Sequence, residues 1–131
     1  MIKNLIKTPE QIRNITDSCK YLNEHLYYLK EHTKAGMTLL ELEELAQAWL
    51  DERNLVWAFK GYEGFPANLC LSVNDCVVHG IPDHTILKNG DLLKIDAGII
   101  YKKWVSDSAI SLIVGDASAN PLGAQLIKVT K

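Results

Sequence analysis

Cysteine is scarce in this sequence, and the three cysteines that occur show no pairing pattern. Cys19, Cys70 and Cys76 are odd in number, and no CxxC motif joins any two of them. Such a count and spacing are poor for a disulfide framework and for a zinc site built from thiolates. The sequence therefore favours a reducing compartment, in which cysteines stay free.

Long apolar runs and a large excess of either charge are also missing. No stretch approaches the roughly 18 apolar residues that span a bilayer, and the opening MIKNLIKTPEQ lacks the apolar core of a secretory signal peptide. Lys and Arg number 14 against 16 Asp and Glu, a formal net charge of −2. This balance argues against a nucleic-acid binder that works through a basic patch. We therefore expect a cytoplasmic protein that binds neither membranes nor nucleic acid directly.

The first third of the chain predicts two amphipathic helices, and the first begins at a clear capping signal. Thr8-Pro9-Glu10-Gln11 combines an N-cap residue, a proline at the first helical position and a glutamine three residues after the cap. Gly36 is predicted to end this helix. The apolar residues between them recur at spacings of three and four, which predicts one buried face: Ile12, Ile15, Cys19, Leu22, Leu26 and Leu29.

The second helix is predicted by another capping box. Thr38 is the cap, and Glu41 is its partner three residues later. Asn54 is a plausible left-handed stop. The predicted buried face consists of Leu42, Leu45, Ala46 and Trp49. We expect His25 and His32, on or near the first helix, to lie at the surface.

After residue 54 the composition changes to short β-branched runs separated by Gly, Pro and Asn. Strands are predicted over residues 69–73, 76–79, 92–101 and 104–114, and a further helix over 123–131. Two helices followed by antiparallel strands are typical of an α+β fold. The length of 131 residues predicts a single domain over 1–131.

Two aspartates interrupt strands that are otherwise apolar. Asp96 and Asp107 lie in neighbouring predicted strands, although a buried carboxylate is costly unless it is paired or metal-bound. If Lys102 and Lys103 form a two-residue turn, Asp107 faces Gly98, and Asp96 is its diagonal neighbour on the same face. Such neighbours lie about 7–8 Å apart, which suits one cation or two cations about 3.5–4 Å apart. Gly98 is expected to leave room beside the pair. The alternative, in which each aspartate caps a turn or pairs with a lysine, remains open.

Several strings around these aspartates form a recognisable pattern. GYEGFPANLCLSVN occupies residues 61–74, VVHGIP occupies 77–82, and the two aspartate segments follow at 91–101 and 106–109. With the opening IKTP segment and the two helices, these strings closely resemble type I methionine aminopeptidases over essentially the whole chain. The resemblance implies one half of a pita-bread fold, in which two N-terminal helices precede an antiparallel sheet.

The resemblance also implies a reaction and the roles of individual residues. The family removes the initiator methionine from nascent chains by using two divalent ions of the Co, Mn, Fe or Zn class. By position, Asp96 and Asp107 match the family's aspartate ligands, with Asp107 bridging both ions. His79 matches a histidine that contacts substrate and takes part in catalysis. The positions that line the methionine pocket are matched by Tyr62, Phe65 and Cys70.

The 131 residues account for only part of the family's ligand set. In the family, the second half of the domain supplies one histidine and two glutamates as further ligands, and a second histidine that contacts substrate. We therefore expect the truncated, N-terminal half of such a site, with little or no activity alone. Two alternatives remain open. A homodimer or a complementing C-terminal half could complete the site, or the chain could be a catalytically inactive, peptide-binding module.

Overall fold

Helices and one antiparallel sheet form the part of the chain that the computed structural model describes, residues 5–131. In chain order the elements are α1 (Pro9–His32), α2 (Leu39–Asp51), β1 (Val56–Trp57), β2 (Leu69–Val73), β3 (Leu92–Tyr101), β4 (Trp104–Ile113) and α3 (Pro121–Thr130), with 3₁₀ turns at Tyr62–Gly64 and Ala117–Ala119. β4 pairs with β3 along its whole length, and β1 and β2 pair with the other edge of β3. The predicted α+β architecture is confirmed.

Helix α1 begins where predicted and ends before the predicted residue. Thr8 caps it with both hydrogen bonds of the capping box. At its other end Thr33 is extended, and the backbone N–H and side-chain hydroxyl of Thr33 both donate to the carbonyl oxygen of Leu29. Gly36 lies beyond this cap, in the next turn, with a φ of +93°. The threonine therefore ends the helix at His32, and the glycine does not.

The buried face of α1 differs from the predicted one at its N-terminal end. Ile12 is 53% exposed, and Cys19 is exposed, whereas Ser18 and His25 are buried. The hydroxyl of Ser18 donates to the hydroxyl of Ser106, which lies on β4. Because these partners are 88 residues apart in sequence, helical periodicity alone could not identify the contact. Ile15 is half-buried, and the predicted face is confirmed at Leu22, Leu26 and Leu29.

Helix α2 matches its prediction closely. Thr38 and Glu41 form the capping box, and Asn54 takes a φ of +53° just after the helix. Leu45 is half-buried rather than buried. The buried side chains are Leu39, Leu42, Ala46, Trp49 and Leu50.

The hydrophobic core lies between these helices and one face of the sheet. The core-facing side chains of β3 are Leu93, Ile95, Ala97 and Ile99. Because side chains alternate across a strand, Asp96 and Gly98 emerge on the opposite face. The alternation thus leaves one sheet face for a functional site. Among residues 5–131, no helix has both the length and the apolar character needed to cross a bilayer.

Strands β3 and β4 form a hairpin in the predicted register. Lys102 and Lys103 make a two-residue turn with φ values of +48° and +72°, and positive φ at both positions is typical of a type I′ turn. Asp107 pairs with Gly98, and Asp96 pairs with Ala109. The diagonal placement of the two aspartates is therefore confirmed.

The predicted strand over residues 76–79 is wrong. These residues are irregular, and Cys76 is exposed rather than packed in a strand. The free edge of β2 is met instead by Gly80, whose carbonyl oxygen accepts the Leu71 N–H at 2.8 Å. His79 has a φ of +58°, which lies outside the extended region and interrupts any regular strand.

Glu43 of α2 anchors the start of β2. Its two carboxylate oxygens accept the backbone N–H groups of Asn68 and Leu69 at 2.6 and 3.0 Å. Burial raises the pKa of Glu43, although the two backbone hydrogen bonds act in the opposite direction. One turn later, Gln47 accepts from the side-chain amide of Asn68 and from the indole N–H of Trp57, both at 2.9 Å. Helix α2 therefore holds the segment that leads into β2.

The substitution Glu43→Ala is expected to lower the free energy of unfolding by about 2–4 kcal/mol. It leaves the N–H groups of Asn68 and Leu69 without their acceptor, and each buried unsatisfied group costs about 1–3 kcal/mol. Denaturant titration at pH 7 measures the loss. Glu44→Ala, at an exposed neighbouring position, should change the value by less than about 0.5 kcal/mol. Equal effects of the two substitutions would contradict the anchoring role of Glu43.

Candidate functional site

A cavity of about 620 Å³ opens on the face of the sheet opposite the helices. Its lining includes all six residues that the sequence singles out: Tyr62, Phe65, Cys70, His79, Asp96 and Asp107. These residues come from the loop before β2, from β2, from the loop after it and from both strands of the hairpin. The fold therefore brings five separate segments to one place.

The two aspartates differ in their environments. Asp96 is half-buried and faces Cys70 across the β2–β3 pair, whereas Asp107 is exposed. Burial raises the pKa of Asp96 to about 6. The negative charge of Asp107, and the hydrogen bond that protonated Asp96 donates to it, raise this pKa further, while the charge of His79 opposes the shift. The pair therefore holds one proton more readily than two separate carboxylates would.

The carboxylate pair fits a divalent cation in its donor chemistry. The Oδ1 atom of Asp96 is buried and has no hydrogen-bond partner among the described residues, and a cation would satisfy such an atom. Carboxylate oxygens suit Mn, Fe, Co and Zn ions. Within residues 5–131, no group of three or more His, Cys, Asp or Glu side chains is arranged to hold an ion. Since such ions take about four to six ligands, Asp96 and Asp107 would supply only part of a coordination shell.

The space beside Gly98 is occupied by an aromatic ring, so the expectation of open room there is wrong. A Cβ atom at this position would lie 2.6 Å from Cε1 of Phe59 and 3.0 Å from the Cβ of Ala58. The backbone N–H of Ala58 also donates to the Gly98 carbonyl oxygen at 3.0 Å. The glycine therefore admits Phe59 to the cavity wall next to the aspartates.

An aromatic and sulfur-containing wall lies beside the carboxylates. Tyr62 is 69% exposed, Phe65 is half-buried, and Cys70 is buried. Burial raises the pKa of the Cys70 thiol to about 11, and the charges of Asp96, Asp107 and Glu43 add to the shift. Cys70 is therefore a neutral thiol at pH 7 and acts as a soft apolar surface.

Five further lining residues were not identified as site residues from the sequence: Phe59, Glu63, Gly64, Pro66 and Ile81. Glu63, Gly64 and Pro66 lie inside the GYEGFP string, so the motif itself was an available signal for them. Phe59 and Ile81 carry no such signal, because isolated apolar residues in irregular segments usually contribute to packing. Their place in the wall is decided by the course of the loops.

Comparison with known proteins identifies relatives along nearly the whole chain. The model of metallopeptidase family M24 matches residues 13–131. Methionine aminopeptidase of Clostridium acetobutylicum is 38% identical over 128 residues, which is 97% of this chain and 50% of the relative. Methionine aminopeptidase 1 of Bacillus subtilis is 33% identical, with the same two shares. The chain thus spans about half the length of the curated relatives it matches.

Solved structures show the same similarity to methionine aminopeptidases. The crystal structure of methionine aminopeptidase from Rickettsia prowazekii superposes with a TM-score of 0.90 at 35% identity, over 99% of this chain and 51% of that one. The prolidase of Pyrococcus horikoshii, at 18% identity and a TM-score of 0.75, covers 95% of this chain and 34% of its own and shares the fold alone. With a family match from residue 13 onward and this half of the pita-bread architecture in place, the chain belongs to metallopeptidase family M24.

Proposed function

We propose that this chain carries the first half of a methionine aminopeptidase active site. In the complete site, two divalent ions of the Co, Mn, Fe or Zn class serve the removal of the initiator methionine from nascent chains, and a cytoplasmic location follows from that substrate. The observation that carries the proposal is the meeting of Asp96, Asp107 and His79 with an apolar wall around one cavity. Relatives that bear the name methionine aminopeptidase support the same substrate class.

The hydrolytic roles divide between the aspartates and the histidine. When bound, divalent ions polarise a scissile carbonyl and lower the pKa of a bound water. Asp96 and Asp107 would hold the ions with their carboxylates, which would require Asp96 to lose the proton that its raised pKa favours. His79, on the same cavity, hydrogen-bonds the substrate amide and so orients it against the carboxylate pair.

Selection of methionine is assigned to the wall formed by Tyr62, Phe65 and Cys70. An unbranched thioether packs favourably against aromatic rings and a polarizable sulfur. Because Cys70 stays a neutral thiol, it contributes apolar surface and does not compete with the carboxylates as a thiolate ligand. The wall therefore favours a methionine side chain over a charged one.

The remaining ligands come from outside these 131 residues. Within the described part of the chain, β4 pairs with β3 alone, which leaves its other edge available to a further strand. Helix α3 beside it exposes three apolar side chains, Leu122, Leu126 and Val129, which are 78%, 51% and 70% exposed. We favour a complementing C-terminal half as the occupant of this side. A second copy of the chain, which would bring four aspartates together at a two-fold interface, is the alternative.

A chimera tests the proposed function. The chain is joined to the part of the Clostridium acetobutylicum relative that the match leaves uncovered, loaded with Mn²⁺ or Co²⁺, and incubated with a Met-Ala-Ser peptide. Free methionine should appear, and Asp107→Ala should reduce its release at least a hundredfold. Asp75→Ala, which removes an exposed aspartate outside the cavity, should leave the release unchanged. A folded chimera that binds the metal and releases no methionine would overturn the proposal.

Measurements on the isolated chain distinguish the half-site from the homodimer and from the peptide-binding module. A purified monomer should release little or no methionine, and clear turnover by a monomer would refute the half-site. Metal-dependent release by a dimer, measured with sedimentation on the same sample, would favour the second copy over the complementing half. Saturable binding of the peptide without release, in both the chain and the chimera, would favour a peptide-binding module.

A further inference from the structure

The free edge of β2 is joined to the segment that carries His79 by two hydrogen bonds. The backbone N–H of Leu71 donates to the carbonyl oxygen of Gly80 at 2.8 Å. The backbone N–H of Gly80 donates to the side-chain oxygen of Ser72 at 3.0 Å. The first bond is an ordinary backbone contact, whereas the second depends on one particular side chain.

The contact between Gly80 and β2 is unusually close. A Cβ atom on Gly80 would collide with the carbonyl oxygen of Leu71 and lie 3.1 Å from the Cα atom of Ser72. The preceding residue, His79, has a φ of +58°, a left-handed conformation that a residue with a Cβ adopts only when its surroundings hold it. We therefore expect a specific hydrogen bond next to His79 to hold this close contact in place.

Ser72 is buried in the layer that also carries the candidate site. It is 2% exposed, and on β2 it shares a face with Cys70, which pairs with Asp96. His79 lines the cavity together with Cys70 and Asp96. A displacement of the 79–80 segment along the β2 edge would therefore move the imidazole relative to the carboxylates.

We propose that Ser72 is a positioning residue, whose hydroxyl accepts the Gly80 N–H and thereby holds His79 in its left-handed conformation at the cavity. The hydroxyl touches neither the substrate nor an ion in this assignment, and it acts only through the backbone of the next segment. The consequence for catalysis rests on the proposed function, whereas the positioning of His79 does not.

The test is NMR spectroscopy of the isolated chain. In Ser72→Ala, the Gly80 amide should exchange with solvent at least tenfold faster than in the wild type. The Cα chemical shift of His79 should also move away from its left-handed value. Ser72→Thr keeps the hydroxyl and should restore both signals. Unchanged Gly80 exchange and an unchanged His79 shift in Ser72→Ala would overturn the proposal.

Ser106→Ala is the matched control, because it removes another buried serine hydroxyl. Ser106 is 4% exposed, and its hydroxyl donates to the carbonyl oxygen of Ser18, away from the cavity. Ser106→Ala should lower the melting temperature without moving the His79 signals. If Ser72→Ala fails to fold, Ser72→Cys keeps a side chain of the same shape with a larger atom that is a weaker acceptor, and Gly80 exchange should then rise about threefold. No rise in Ser72→Cys would count against the proposal.

The chimera shows whether this positioning matters for the reaction. Ser72→Ala should lower kcat for Met-Ala-Ser about tenfold, with Mn²⁺ affinity unchanged and with recovery in Ser72→Thr. If the His79 signals move but the wild-type chimera releases no methionine, the proposed function fails and the positioning stands. If the wild-type chimera is active and Ser72→Ala changes neither kcat nor the His79 signals, the positioning fails and the proposed function stands.

Discussion

Asp96→Ala is expected to lower the affinity of the chain for Mn²⁺ at least tenfold while leaving its free energy of unfolding at pH 7 unchanged or slightly higher. The loss of affinity follows from removing one of two carboxylates that face the same cavity. The effect on stability follows from the raised pKa of Asp96, which is about 6 in the folded chain against an ordinary value of 3.8. A carboxyl with a raised pKa destabilises the folded state once it is ionised.

The sign of the stability effect follows from proton linkage. Between pH 3.8 and about 6 the folded chain binds more protons at Asp96 than the unfolded chain does, so the contribution of Asp96 to stability decreases as the pH rises through this range. Above about pH 6, Asp96 is ionised, and its full destabilising effect on the folded state is present. Because Asp96 is only half-buried, solvent screening reduces this penalty to on the order of 1 kcal/mol. Asp96→Ala removes this destabilisation and also loses a similar free energy of side-chain packing, so the two effects nearly cancel.

Two measurements on the same samples check this prediction. Titration calorimetry with Mn²⁺ at pH 7 gives the affinity, and denaturant titration without metal gives the free energy of unfolding. Asp75→Ala, at an exposed position outside the cavity, should change neither. A purely structural carboxylate would give the reverse result. A loss above about 2 kcal/mol with unchanged affinity would support a turn cap or a lysine pair.

Metal binding should also weaken in acid. A carboxylate must lose its proton before it can ligate an ion, and the pKa of Asp96 is raised to about 6. The apparent affinity for Mn²⁺ should therefore be nearly constant above pH 7 and fall as the pH drops below about 6. Affinity that stays level down to pH 4.5 would show that Asp96 is not a ligand.

Acid should destabilise the chain through His25, by about 3 kcal/mol between pH 7 and pH 3.5. The imidazole is fully buried and packs against two indole rings, with centroid distances of 4.7 Å to Trp49 and 5.4 Å to Trp57. Neither of its ring nitrogens has a hydrogen-bond partner in the described part of the chain. Burial lowers the pKa of His25 to about 4, and the charge of Arg53 adds to the shift.

The direction follows from the lowered pKa of a base. Between the ordinary value of 6.5 and about 4, the unfolded chain binds more protons at His25 than the folded chain does. Stability is therefore fully retained above pH 6.5 and decreases as the pH falls toward 4. Arg53 lies over the Trp49 ring at 3.9 Å, so a protonated His25 would also meet a nearby positive charge.

Denaturant titrations from pH 7 to pH 3.5 measure this effect. His25→Phe keeps an aromatic ring in the same place and cannot be protonated, so the part of the acid loss that is due to His25 should disappear. His32→Phe, which replaces an exposed histidine on the same helix, should keep the wild-type pH dependence. Parallel pH curves for the wild type and His25→Phe would contradict the assignment.

The hairpin and its carboxylates were predictable because their information is local. A two-residue turn at Lys102 and Lys103 sets the register of both strands, and side-chain alternation then places Asp96 and Asp107 on one face. The capping boxes at Thr8 and Thr38 were equally readable, since each involves side chains only three residues apart.

Several errors fall where distant segments meet. His25 was expected at the surface, and it is buried because Trp49 and Trp57 surround it from other elements. The two-residue β1 was missed because so short a segment has no periodicity of its own and exists only through its pairing with β3. The space beside Gly98 is filled by Phe59, a contact that spans 39 residues of sequence.

Local patterns in the amino-acid sequence were sufficient for the α+β class, the hairpin register and the shared face of Asp96 and Asp107, because caps, turns and alternation act between near neighbours. Tyr62, Phe65, Cys70 and His79 were assigned from the family resemblance. The tertiary fold alone decided that these six residues share one cavity, that Ser72 contacts Gly80 and that His25 is buried. The packing of loops and helices against the sheet determines such contacts, since their free energy depends on the shape and solvation of surfaces that no short stretch of sequence contains.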